Sequence, residues 1–151
     1  MTTYTEEAKE EMKRADHLLF VTLKYARIVD VMYNIIERLN NACDIIVNEA
    51  VTKSKKIKET PKTQFRRVKI FRELLKDNKN SKIFIDHYID LRKLKSNRYS
   101  KKGEYRKNVT LISIDEMESV TEINMDKLKD LFKKTFGFIE FFSELIESKK
   151  I

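Results

Sequence analysis

Two glycines and one proline in 151 residues leave this chain few ways to turn sharply. Tight hairpins, phosphate-cradling loops and the βα turns of nucleotide folds need residues at positive φ, which glycine supplies most cheaply. A chain this poor in glycine reads as helices joined by a few polar connections. Charged residues make up 37% and hydrophobic ones 41%. That is too apolar and too periodic for a disordered chain, and too charged for a membrane protein. The length suits one domain, so 1–151 is read as a single soluble helical unit.

The periodicity supports this. Leu18, Val21, Tyr25, Ile28, Met32, Ile35, Leu39, Ala42 and Ile46 follow heptad spacing. A second stripe runs through Ala8, Met12, Ala15, Leu19, Leu23 and Ala26. Two stripes imply two buried faces, hence either one long helix leaning on a second copy or a helix pair bent near 22–27. Thr3 with Glu6 forms a candidate capping box. Residues 51–62 lose the period and carry the sole proline, so they read as a connection. Phe65, Val68, Phe71, Leu74 and Leu75 then mark one helix, and Phe84, Tyr88, Leu91 and Leu94 a second, with Ser81 as its N-cap. The segment 96–107 reads as an exposed basic loop. Residues 109–114 and 119–123 are the only β-like stretches and suggest a short hairpin. Asn124 caps a last helix whose stripe runs from Leu128 to Ile146, widened by Phe136, Phe138 and Phe141. The expected fold is all-α, a bundle of four or five helices with a basic loop and a small hairpin. The heptad stripe and the Phe-rich last helix make a homodimer the expected assembly.

Several chemistries lack their residues. Cys43 is the only cysteine, which excludes an intrachain disulfide and a cysteine-based zinc site; among apolar neighbours it reads as a small buried hydrophobe. The residues three before His17 and His87 are Arg14 and Phe84, so the Glu-x-x-His pair of di-iron bundles is absent. Asp86, His87 and Asp90 would make an incomplete cation shell. No Gly-x-Ser-x-Gly elbow occurs. No metal, cofactor or catalytic constellation is therefore expected. The acidic N-terminus lacks an apolar run, and the longest such runs are four residues, as at Leu18–Val21. Neither a signal peptide nor a membrane span is expected, and the composition fits a reducing cytoplasm.

Charge is the clearest functional signal. The net charge is +8, yet residues 53–107 hold twenty basic and six acidic side chains, net +14, while both flanks are net −3. Such asymmetry points to an anionic partner. Lys62, Arg66 and Lys69 share a helix face; Arg92, Arg98, Lys102 and Arg106 follow, interleaved with Tyr99 and Tyr105. Cations that meet phosphates beside aromatics that stack on unpaired bases form a nucleic-acid-binding pattern, RNA rather than DNA. The alternative is a structural or protein-interaction module in which the charge only solubilises.

Leu91-Arg92-Lys93-Leu94-Lys95-Ser96-Asn97-Arg98, a polar loop with Tyr105 and a closing apolar helix ending Phe138-Ile139-Glu140-Phe141-Phe142 resemble a divergent HEPN bundle, the nucleotide-binding helical domain of higher eukaryotes and prokaryotes. The resemblance implies a dimer, and a ribonuclease or an RNA-binding partner of a nucleotidyltransferase, with Arg92 or Arg98 at the matching helix end. That family's catalytic pair is an Arg and a His separated by four to six residues. Here Asn97, Arg98 and Tyr99 occupy those positions after Arg92, and Gly103, Glu104 and Tyr105 lie downstream of Arg98. The catalytic His is absent.

Overall fold

The computed structural model describes residues 3–54, 56, 59 and 61–151. Among them are five helices: α1 (Tyr4–His17), α2 (Val29–Lys53), α3 (Gln64–Leu74), α4 (Lys82–Ser96) and α5 (Met125–Glu147). Three strands, β1 (Arg98–Lys102), β2 (Thr110–Ile114) and β3 (Val120–Ile123), form an antiparallel sheet in the order β1-β2-β3.

The N-terminal stripes form a helix pair. Thr3 closes the capping box with Glu6 and starts α1. The helix loosens into a π-helical stretch, Leu18–Thr22, and a last turn, Leu23–Tyr25. Ala26 and Ile28 are extended, so the chain reverses without glycine or proline. Ala8, Met12, Ala15, Leu19 and Leu23 are buried where α1 packs back on α2. An ion pair of 3.2 Å between Glu11 and Arg38 bridges the two helices. The lower heptad stripe, Met32 to Ile46, is buried within this one chain, while Val21 and Tyr25 stay exposed. α2 is the central helix, with α1, α3, α4 and α5 all packed against it.

The aromatic stripe of α5 completes the core. Phe138 sits 4.7 Å from Phe142, 5.6 Å from Tyr88 and 6.4 Å from Phe71, measured between ring centres. Asn124 caps this helix through Lys127 N–H, as its sequence suggests. Ser81 precedes α4 but makes no capping bond; its hydroxyl donates to the Asn78 carbonyl instead, at 2.8 Å. Phe65 also departs from expectation. It is 67% exposed, because the core face of α3 is the narrower set Val68, Phe71 and Leu75.

The sheet corrects the all-α reading and the basic loop. The expected hairpin exists as β2 and β3, with Leu111 opposite Ile123. Residues 98–102 are not a loop. They pair with β2, Arg98 opposite Ile114 and Lys102 opposite Thr110. β1 is an edge strand whose side chains face water except Tyr99, and edge strands commonly carry charge. The following turn docks on the bend between α1 and α2. Glu104 accepts from Val29 N–H at 2.9 Å and so caps α2, and Tyr105 N–H donates to the Arg27 carbonyl at 2.8 Å. Gly103 permits this turn. Its φ is +67°, and an added Cβ would lie 2.9 Å from Asn108 Oδ1. No helix among the described residues is long and apolar enough to cross a membrane.

Candidate nucleic-acid interface

Thr63 sets the phase of the basic face. Its side chain accepts from Arg66 N–H and starts α3. With Val68, Phe71 and Leu75 turned inward, the 100° helical step places Phe65, Arg66, Lys69, Arg72 and the acidic Glu73 on the solvent arc. Lys62 and Lys76 are exposed but lie outside the helix, before its N-cap and after its last turn, so Lys62 is not on the helix face where its spacing put it. Lys76 pairs with Glu73 at 2.8 Å. Lys62, Arg66, Lys69 and Arg72 make no ion pair with any described residue. Lys69 Nζ lies 5.4 Å from the Phe65 ring centre. Lys62, Arg66 and Lys69 line one shallow depression. Lys69 and Arg72 also line a groove between α3 and α4 together with Arg92 and Lys93, and Phe65, Met117 and the acidic Asp115 and Glu116 line it too.

The remaining anticipated residues are placed differently. Arg98 pairs with Glu118 at 2.9 Å and Lys102 with Glu122 at 3.6 Å. Lys101 pairs with Asp30 at 3.2 Å. Tyr99 donates to Asp30 at 2.7 Å, and its ring centre lies 4.8 Å from that of Tyr33. Burial, then Asp30, pushes the Tyr99 hydroxyl up to about 12. β1 starts beside the α3–α4 groove and runs away from it, so Lys102 is about 13 Å from Arg98. Tyr105, 75% exposed at φ +67°, and Arg106 lie beyond it, at the bend. The nine anticipated residues therefore divide into an α3–α4 group (Lys62, Arg66, Lys69, Arg92) and a strand-and-turn group.

Arg92 also borders a half-open surface pocket of about 320 Å³ between α2 and α4. Asn40 and Asp44 enter it from α2, one helical turn apart, and Gln64 from the first turn of α3. Asp44 Oδ1 accepts from the Tyr88 hydroxyl, from Gln64 Nε2 at 3.3 Å and from Arg92 at 3.4 Å. Asp44 Oδ2 accepts from Asn40 Nδ2 at 3.1 Å. Burial raises the Asp44 carboxyl above its ordinary value, against the pull of Tyr88, Arg92, Lys95 and Asn40. Burial, then Asp44, likewise raises the Tyr88 hydroxyl. The cluster was hidden in the sequence. Asn40 and Asp44 sit among the apolar residues of the heptad, and only their four-residue spacing places them on one face.

Elsewhere, His87 turns away from Asp86 and Asp90 into the α4–α5 seam, where it bonds Thr135 at 2.9 Å. Among the described residues no three His, Cys, Asp or Glu side chains are grouped as a metal would need. Cys43 is fully buried, and that burial holds its thiol protonated. A second surface feature is apolar. Phe20, Val21 and Phe136 are each more than 40% exposed, and Phe20 and Phe136 both pack edge-on against Phe132. No protein-family model matches the chain, and no curated protein or solved structure matches it.

Proposed function

We propose that the protein binds single-stranded nucleic acid, RNA by preference, along the exposed arc of α3 and the groove it forms with α4, without catalysing a reaction. One observation carries this reading. Arg66, Lys69 and Arg72 project from one face of α3, with Lys62 just ahead of its N-cap, beside the exposed ring of Phe65; none of the four makes an ion pair with a described residue, and they outnumber the carboxylates of Glu59, Asp115 and Glu116 that line the same depression and groove. Elsewhere in the basic segment, Arg98, Lys101 and Lys102 each already face a carboxylate. Unpaired cations retain their full attraction for phosphates, and an exposed aromatic offers an unpaired base a stacking surface. The HEPN-like resemblance, held here as part of the proposal, also expects RNA.

The test is binding of a labelled uridine heptamer across about 50 to 200 mM salt. Each phosphate contact to a single strand contributes about −0.7 to the slope of log affinity against log salt. Lys62, the α3 cations Arg66, Lys69 and Arg72, and Lys93 thus give an expected slope of about −3 to −4. No binding at the lowest salt would overturn the reading. It would leave the protein-contact alternative, for which the exposed Phe20, Val21 and Phe136 surface is the natural place.

A further inference from the structure

The outer face of α5 carries charges in an order that a lone helix does not favour. Lys129, Lys133, Phe136, Glu140 and Glu144 are all exposed, and at 100° per residue they fall within an arc of about 80°. The lysines occupy the N-terminal half and the glutamates the C-terminal half, against the helix dipole, which favours the reverse. Lys129 and Lys133 stand four residues apart, as do Glu140 and Glu144, so like charges neighbour each other along the helix. None of these four makes an ion pair with a described residue; the Lys134–Asp130 pair of the same helix lies off the stripe.

The order becomes favourable when a second stripe is laid on the first end over end. About a point between Phe136 and Gly137, Lys129 mirrors Glu144 and Lys133 mirrors Glu140. An antiparallel second α5 would set each of these lysines opposite a glutamate of the other copy, with the two Phe136 rings flanking the axis. Farther out, Asp126 would meet Glu147, both acidic, so the match covers about four turns and ends there. A partner of one charge sign would leave half the stripe facing its like. The apolar part of a contact is present as well. Phe136, and Phe20 and Val21 in the π-helical stretch, are each more than 40% exposed. Phe20 and Phe136 lean on the same Phe132 ring, at 5.7 and 5.1 Å between ring centres, so they form one surface beside the charged stripe. An apolar centre with a self-complementary charged rim suits a two-fold interface. We infer that the outer face of α5 is a self-association surface, on which a second copy of this chain docks antiparallel about Phe136 with Lys129–Glu144 and Lys133–Glu140 pairs crossing the axis. The heptad stripe of α2 does not serve this purpose, because Met32 to Ile46 are buried within one chain. The inference is independent of the strand-binding reading.

The experiment is sedimentation equilibrium of the full chain. The native protein is expected to pass from monomer to dimer by about 200 µM, the range in which a small, partly polar interface associates. Lys133→Glu and Glu140→Lys, each alone, should weaken dimerisation about tenfold, because each sets two like-charged contacts across the axis. Mixed in equal amounts, the two variants should associate at least as tightly as the native protein, since every cross-axis pair is then of opposite sign. Phe136→Asp should abolish association with the native helical spectrum kept. A native protein that stays monomeric throughout would overturn the inference. So would a dimer that both charge variants leave intact, or a mixture that associates no more tightly than its two components.

Discussion

Reversing three charges at the start of α3, with Lys62→Glu, Arg66→Glu and Lys69→Glu together, is expected to lower affinity for a single strand about 100-fold at 0.1 M salt. The size follows from counterion release. One decade below molar salt, each contact is worth about 0.7 log units, so three amount to about two. All three side chains are exposed and free of ion pairs with the described residues, so the variant should keep its fold and show a native helical spectrum. The control is the matched reversal on β1: Arg98→Glu, Lys101→Glu and Lys102→Glu. It changes the net charge equally, but those cations already face Glu118, Asp30 and Glu122. Their loss of strand affinity should stay below about tenfold: Arg98, beside the groove, is already neutralised by Glu118, and Lys101 and Lys102 lie farther along β1, where charges beyond a Debye length of about 10 Å are largely screened. Equal losses in the two variants would mean that net charge, not the α3 face, governs binding.

The second large effect concerns stability against pH. His87 is buried between α4 and α5, and its pKa is lowered from 6.5 to about 4. Burial is the main cause. The cations Lys134 and Lys127 add to it, and Asp130 opposes them. Thr135 donates its hydroxyl proton to the Leu131 carbonyl at 2.8 Å, so it accepts from His87, which places the neutral ring's proton on Nε2. The sign is that of a group more easily protonated when unfolded. Its contribution is complete above pH 6.5 and is lost as pH falls from 6.5 towards 4. The full loss is about 3 kcal/mol. Asp44, whose carboxyl is raised, contributes with the opposite sign, so the native curve alone mixes the two. The difference between native protein and His87→Gln isolates the histidine, because the amide can still donate to Thr135. Urea unfolding at pH 7 and pH 4.5 should show the native protein losing more stability than the variant. Parallel losses would place the sensitivity elsewhere.

What the sequence revealed, and what it hid, follows from how local each signal is. The stripe from Met32 to Ile46 and the Asn124 cap are local, and both elements stand where they were expected. The reversal at Ala26–Ile28 is not local. It uses no turn-forming residue, and the helix after it is capped by Glu104, about seventy-five residues later. β1 was illegible because its residues are nearly all charged or polar; it is a strand because β2 offers it an edge. Phe65 was assigned to the core on spacing alone, since a helix pattern tells which residues share a stripe, not how wide the buried arc is. The basic face was legible in part: Arg66 and Lys69 share the solvent side of α3, whereas Lys62, placed there by spacing, precedes the extended N-cap Thr63. The Asp44 cluster was not, because Asn40, Asp44, Gln64, Tyr88 and Arg92 come from three helices and meet only when those helices pack.

The strand-binding face is tested most directly by amide chemical shifts of the native protein titrated with a uridine heptamer at low salt. The expected result is a contiguous set of perturbations at Phe65, Arg66, Lys69, Arg72 and Lys93, saturating together with the binding curve. Perturbations confined to Arg98–Arg106, or none at all, would contradict it.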